Sequence, residues 1–332
     1  MKKAHYILSF VLLIVLGNAS FSQVYKKQDK KFRHWQSAQH FKTKYRYWMI
    51  GVSAGTMNYK GDLNPKPNLF SMDVKQTRWN LGAEISWRYG PRVTYRTSFS
   101  VGRIEGSDEI SADPYGDVYS EGARYTRNLS FKNDIYEFKA DIIYDYFENR
   151  KSMRRRVAWS PYGAIGVALF YSNPKAEYQG RTYALRELGT EGQLLEGGSV
   201  YSAFQVAIPF AVGIRYKLNS VFDISFEFGA RFTLTDYLDD VSGLYADKTK
   251  LGNSDNIAVL LSDRSIEKPV HPHISSQVGG NQWTDDDGYS YTTSYGAGEQ
   301  RGNAKGNDWY FVTGFHLTYI FHPKTYAGRY KG

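Results

Sequence analysis

Residues 204–234 alternate apolar and polar positions on both sides of a short turn at Leu218-Asn219-Ser220. Val206, Ile208, Phe210, Val212, Ile214 and Tyr216 are apolar before the turn, and Phe222, Ile224, Phe226, Phe228, Ala230 and Phe232 after it. Between them stand Gln205, Gly213, Arg215, Asp223, Ser225, Glu227 and Arg231. Successive side chains of a strand point to opposite faces, so a period of two predicts strands with one apolar and one polar face. Each run is about ten to twelve residues long, the span of a membrane-crossing strand, and its polar face carries both signs of charge. Apolar outside and polar inside is the pattern of a membrane barrel.

The same alternation predicts eight strands, at 46–57, 77–89, 92–104, 133–146, 160–172, 203–218, 221–235 and 307–321. Trp79, Leu81, Ala83, Ile85 and Trp87 share one face of the second, and Tyr136, Phe138, Ala140, Ile142, Tyr144 and Tyr146 one face of the fourth. The connections alternate in length. Long ones run over 58–76, 105–132, 173–202 and 236–306; short ones are Gly90-Pro91, 147–159 and Leu218 to Ser220. Outer-membrane barrels have long extracellular loops and short periplasmic turns. The expectation is an all-β fold: an eight-stranded antiparallel transmembrane β-barrel over 46–321, with both termini periplasmic. The stretch 252–306, rich in Gly, Ser and Asp, reads as a mobile extracellular loop.

The N-terminus indicates the compartment. Lys2 and Lys3 precede a short apolar run from Ile7 to Leu16, and the small Ser20 and Ser22 precede Gln23. That is a cleaved signal peptide over 1–22, too short to be a comfortable membrane span. A mean hydropathy of −0.52 leaves no second candidate for a spanning helix. The absence of cysteine excludes disulfides, thiolate metal sites and lipid attachment at cysteine. Aromatics make up 16%, including 28 Tyr and 7 Trp, enough for girdles at two membrane interfaces. The net charge is +9, or +7 once Lys2 and Lys3 leave, but no nucleic-acid-binding motif accompanies it.

An eight-stranded barrel is narrow enough for side chains to fill. The lumen-facing positions include Glu84, Arg88, Arg96, Glu137, Lys139, Asp141, Arg215, Glu227 and Arg231, with Gly51, Gly82, Gly213, Gly229 and Gly314 giving them room. Charges out of water must find partners, so the expectation is a packed ion-pair plug; an ion path is the alternative. Catalytic chemistry is not indicated. His271-Pro272-His273 lacks a third metal ligand at a usable spacing. Asp236, Asp239 and Asp240 match no EF-hand and read as a solvated turn, as do Asp285, Asp286, Asp287 and Gly288. No Ser sits in a nucleophile elbow. The expectation is no catalytic residue, cofactor or metal.

Basic residues cluster on the expected periplasmic face. Residues 23–45 include Lys30, Lys31 and Arg33, the 147–159 turn holds Arg150, Lys151, Arg154, Arg155 and Arg156, and the tail 322–332 adds Lys324, Arg329 and Lys331. They read either as a solvated surface resting on phospholipid phosphates or as a docking surface for an acidic periplasmic partner.

Several segments then carry a family likeness. Thr233-Leu234-Thr235 followed by Asp236, Tyr237, Leu238, Asp239, Asp240, Val241 and Ser242 resembles a hallmark of the PorG-like outer-membrane proteins. So do Asn58-Tyr59-Lys60-Gly61-Asp62-Leu63, Ser160-Pro161-Tyr162, Phe170-Tyr171-Ser172-Asn173-Pro174 and Leu188-Gly189-Thr190-Glu191-Gly192-Gln193. The resemblance implies a non-enzymatic barrel of the type IX secretion system, associated with a periplasmic ring of a PorK-like lipoprotein and a PorN-like protein. In gliding bacteria that system is linked to motility. The other function kept open is a general structural or adhesive barrel that works through its outer loops. Outer-membrane lipids are partners in both readings, and nucleic acid in neither.

Overall fold

The computed structural model describes residues 46–64, 74–113, 115, 122–150, 153–267, 282–284, 290–292, 295–304 and 306–321. The signal segment, residues 23–45 with Lys30, Lys31 and Arg33, Lys151, His271, His273, Asp285, Asp286, Asp287 and the tail 322–332 lie outside the described residues. The strands are β1 (Tyr47–Lys60), β2 (Arg78–Arg88), β3 (Val93–Ser107), β4 (Ser130–Asp145), β5 (Trp159–Tyr171), β6 (Lys175–Tyr178), β7 (Arg181–Ala184), β8 (Phe204–Lys217), β9 (Phe222–Thr233), β10 (Gln282–Thr284), β11 (Ser290–Thr292) and β12 (Trp309–Ile320). Neighbours run β3-β2-β1-β12-β9-β8-β5-β4, and β4 pairs back onto β3, closing an eight-stranded antiparallel barrel. The first and last strands form the seam, with Met49 opposite Ile320 and Gly55 opposite Gly314. The entry of β1 and the exit of β12 therefore meet at the short-turn end. The β6–β7 hairpin branches from the sheet where Lys175 pairs with Lys132.

Alternation decides which face meets lipid. Along β4, Tyr136, Phe138, Ile142 and Tyr144 are exposed while Glu137, Lys139, Asp141 and Asp145 are buried. On β8, Val206, Ile208, Phe210, Val212, Ile214 and Tyr216 all face outward. Aromatic residues gather at both rims. Trp48 stacks on Trp87, which stacks on Tyr95, and Phe147 meets Trp159 edge-on at the short-turn end. Tyr136, Tyr171 and Phe204 meet in sequence at the long-loop end, where Phe232 also meets Trp309. An apolar wall between two aromatic girdles is the exterior of a transmembrane barrel.

Three strands overrun the expected ends at the long-loop side, β1 by three residues, β3 by three and β4 by three. The reason is packing. Tyr59 and Phe131 on these extensions, with Met57 and Ile104 just before them, join Leu63, Leu129, Leu185, Leu238, Val241, Leu261 and Tyr310 in one buried apolar cluster. The long connections thus fold into a cap with its own core, and two sequence expectations need correction. Residues 243–267 and 295–304 are not uniformly loop: they include the helical turns Lys248–Leu251 and Ile257–Ser262 and an isolated bridge, Leu244 to Gln300. The Asp236–Ser242 run is no solvated turn. Leu238, Asp239, Asp240 and Val241 are all at most 2% exposed, because this segment dips into the apolar cluster and takes its carboxylates with it.

Candidate functional site

The lumen is filled by ion pairs in tiers. In the middle, Arg96 grips Asp141 with Nε and Nη2 at 2.9 and 2.7 Å and Glu227 with Nη1 and Nη2 at 2.8 and 3.1 Å. Lys139 reaches Asp141 at 2.9 Å, and Glu84 is shared between Arg96 at 3.6 Å and His316 Nδ1 at 2.8 Å. Toward the loops, Arg231 pairs with Glu137 at 2.9 Å, and the Tyr310 hydroxyl donates to the same carboxylate at 2.6 Å. Toward the turns, Asp145 takes Arg88 and Arg215 together. Arg156 and Asp223 close that end at 2.5 Å. The six cations Arg88, Arg96, Lys139, Arg156, Arg215 and Arg231 match the six carboxylates Glu84, Glu137, Asp141, Asp145, Asp223 and Glu227. Small residues make this possible. A Cβ on Gly213 would lie 2.6 Å from the Tyr162 hydroxyl, so only glycine lets Tyr162 reach across and donate to Glu227 at 2.9 Å.

Two cavities beside these ion pairs are water-sized. One of about 30 Å³ lies beside Glu84, Lys139 and His316, and one of about 20 Å³ beside Arg88, Asp145 and Arg215. Each holds about one water molecule, so neither passes a solute. Among the described residues, no group of three His, Asp or Glu side chains is placed to hold a metal ion.

At the turn rim, Arg154 and Arg155 are exposed, and Arg150 is 60% exposed while paired with Glu148 at 2.5 Å. Arg156 is different. It is 7% exposed, binds Asp223, and donates to the carbonyls of Met153, Asn219, Ser220 and Phe222. Arg156 is thus a plug of the short-turn end and cannot offer its charge to a partner. The reason is its position above the open end of the β8–β9 turn, whose carbonyls need a donor.

At the loop end, the segments that carry the family likeness converge. The Tyr59 hydroxyl lies 2.5 Å from Asp239 and 3.0 Å from Asp308, and the Leu238 N–H donates to Asp308 at 2.9 Å. One hydroxyl proton cannot serve two carboxylates. Burial, and then the charge of neighbouring acids, pushes both Asp239 and Asp308 well above the usual carboxylate range. Asp240 accepts from Thr190 and from Tyr201 at 2.7 Å, and burial raises it to about 6 against the pull of Arg301. Burial raises Asp236 to about 7. Tyr237 stacks on Tyr201 at 4.5 Å. Ser242 N–H donates to Glu191 at 2.9 Å, and Glu191 in turn binds Arg301 at 2.8 Å. Arg127 holds Asp108 with two contacts of 2.7 Å and also donates to the carbonyls of Arg301 and Asp62.

Asp145 and Asp223 were absent from the lumen set read from sequence. The signal was there: both continue the period-two series of Glu137, Lys139, Asp141 and of Ser225, Glu227. For Arg127, Asp108, Arg301 and Asp308 there was none, since contacts such as Arg127 to Arg301 join loops 174 residues apart.

A family profile described as Domain of unknown function (DUF6089) matches residues 37–256. No curated protein sequence matches the chain. Among solved structures, Ail of Yersinia pestis, the attachment invasion locus protein in complex with a heparin analogue, is 8% identical with a TM-score of 0.34, covering 83% of this chain and 99% of that one. Neisserial surface protein A is also 8% identical, with a TM-score of 0.35 and coverage of 82% and 97%. OprG of Pseudomonas aeruginosa is 9% identical, with a TM-score of 0.33 and coverage of 84% and 98%.

Proposed function

We propose, for a chain that belongs to the DUF6089 family, a non-enzymatic role as an outer-membrane barrel that anchors or positions the periplasmic ring of a type IX secretion system. The observation that carries this reading is the filled lumen. A barrel whose interior is closed by matched ion pairs has only its two rims and its lipid face left to work with. The resemblance to the PorG-like proteins supports the secretion system as the setting, and PorK-like and PorN-like proteins as the partners. In the proposed orientation the capped loop end faces outward, and the turns and both termini face the periplasm. Arg154 and Arg155 then present unburied positive charge to an acidic partner surface.

The test is a pull-down from solubilised membranes with wild type and with Arg154→Glu/Arg155→Glu. Arg156 is left intact, because reversing it would break the Asp223 pair and confuse docking with folding. Ring proteins should co-purify with wild type and less with the reversed charges, and deletion of the gene should stop secretion. Intact secretion with no ring protein recovered would sink the anchoring role; equal recovery with both variants would sink only the assigned rim. A second reading, an adhesive barrel acting from the outer surface, is favoured by the folding of the loops into a cap with a core of Leu238, Val241 and Leu261. Loss of surface attachment with secretion intact would select it.

A further inference from the structure

At the loop end a cleft of about 340 Å³ opens where the β6–β7 hairpin leaves the barrel, with Lys132 of β4 and Lys175 of β6 in its wall. These two lysines are direct partners in the pairing that joins β6 to the sheet. Directly opposite residues of an antiparallel pair project from the same face, and like charges placed so repel each other. The carboxylates they pair with stand beyond ordinary hydrogen-bond distance. Lys132 lies 3.6 Å from Glu177, both side chains being more than half exposed, and such pairs contribute little. Lys175 lies 3.9 Å from Asp134, which Arg103 holds more closely at 2.6 Å. The other charges in the wall are already engaged, Glu105 by Arg78 at 2.7 Å and Arg264 by Glu267 at 2.7 and 2.8 Å.

Height along the barrel decides the class of partner. Lys132 continues the outward series of Phe138, Tyr136 and Asp134 along β4. It stands four residues beyond Tyr136, which belongs to the aromatic girdle at the loop end. Four residues are roughly 13 Å of strand, or about 9–10 Å of height at the tilt of a barrel strand. The headgroup layer outside the hydrocarbon is roughly 5–8 Å deep, within reach of a lysine stem that bends toward it. Two adjacent ammonium groups at that level call for a dianion. A phosphomonoester carries a charge of about −1.5 to −2 and three acceptor oxygens, enough for both lysines, while Glu177, open to solvent, can turn aside. A phosphodiester or a carboxylate brings a single charge and would satisfy only one of them.

We propose that the Lys132–Lys175 cleft binds the phosphomonoester headgroup of a membrane lipid in the leaflet on the loop side. This site lies at the opposite end from the rim assigned to the ring proteins and does not depend on that role. The test is native mass spectrometry of the full chain folded in neutral detergent micelles. Phosphatidic acid is the phosphomonoester probe, phosphatidylglycerol the diester, diacylglycerol the lipid without phosphate, and inorganic phosphate the soluble source. Phosphatidic acid should bind more tightly than each of the other three. Lys132→Gln/Lys175→Gln should weaken it about tenfold or more. The same loss in the Arg154→Glu/Arg155→Glu background separates lipid held at this rim from lipid held at the turn rim. Glu177→Gln removes the competing carboxylate and should tighten binding about threefold, a gain that a purely structural role for the lysines would not produce. Heat-modifiable gel migration checks that each variant is folded. Phosphatidylglycerol or inorganic phosphate binding as tightly as phosphatidic acid, affinity unchanged in the folded lysine variant, or binding not tightened by Glu177→Gln would overturn the proposal.

Discussion

Replacing Arg96 by Met should be among the most damaging single changes in the barrel. Arg96 is 3% exposed and makes four charge-assisted contacts of 3.1 Å or less to Asp141 and Glu227, with Glu84 at 3.6 Å. Methionine fills much of the volume but supplies no charge. Lys139 would still serve Asp141 at 2.9 Å, and His316 would still serve Glu84. Glu227 would keep the Tyr162 hydroxyl at 2.9 Å but only a distant cation, Lys139 at 3.9 Å. The perturbation is therefore close to one orphaned buried carboxylate, a loss of about 3–5 kcal/mol. Urea unfolding in micelles, followed by heat-modifiable gel migration and tryptophan fluorescence, measures it. The double variant Arg96→Met/Glu227→Gln removes the orphaned charge and should recover roughly 1–3 kcal/mol of the loss. A cost below about 1 kcal/mol with no recovery in the double variant would mean that the lumen is hydrated and that the plug argument fails.

Three other outcomes follow from particular contacts. In planar bilayers the folded protein should give no stable conductance, since the Arg88–Asp145–Arg215 and Arg156–Asp223 groups close the turn end; reproducible porin-like channels would contradict this. Gly55→Ala should lower unfolding stability by about 2–3 kcal/mol, because its Cβ would lie only 2.5 Å from the Gly314 Cα across the closing seam. Gly163→Ala, where the nearest atom is 3.9 Å away, should be nearly silent in the same assay. Asp240 and Asp236 are raised to about 6 and about 7 in the folded cap. The folded state thus retains protons the unfolded chain has released, so the contribution of these two groups to cap stability is fullest below about pH 4 and is lost as pH rises through 6 to 7. After correction for the base-catalysed intrinsic rate, amide protection in the cap should be lower at pH 8 than at pH 5, and Asp240→Asn/Asp236→Asn should flatten the difference.

The barrel was legible because strand faces are set locally. Alternation over 206–216 and 222–232 assigns each side chain to lipid or lumen without knowledge of any partner, and a one-residue slip would turn every charge toward lipid. That strong constraint is why the eight strands appear within three residues of where the pattern puts them. The same alternation brings Arg96, Glu137, Asp141, Glu227 and Arg231 to the lumen. It does not say which carboxylate each arginine takes: Arg96 and Glu227 lie 131 residues apart, and their meeting depends on the register of every strand between them. The turn rim shows the same limit at one residue. Arg154, Arg155 and Arg156 are alike in sequence, and only the approach of the β8–β9 turn carbonyls turns the third inward.

The cap lies furthest from what the sequence determined. Polar, Gly-rich connections read as solvated loops because their composition lacks a period. Their core instead comes from single apolar residues on separate loops, Leu63, Leu129, Leu185, Leu238 and Leu261, each too isolated to register as a pattern. The barrel rim gathers them, and once gathered they bury Asp239, Asp240 and Tyr245. Local periodicity thus decided the strands, their faces and the membrane as solvent. The pairing of charges across the lumen, the plug at Arg156 and the core of the cap were decided only by closure of the barrel, which brings together residues that share no local signal.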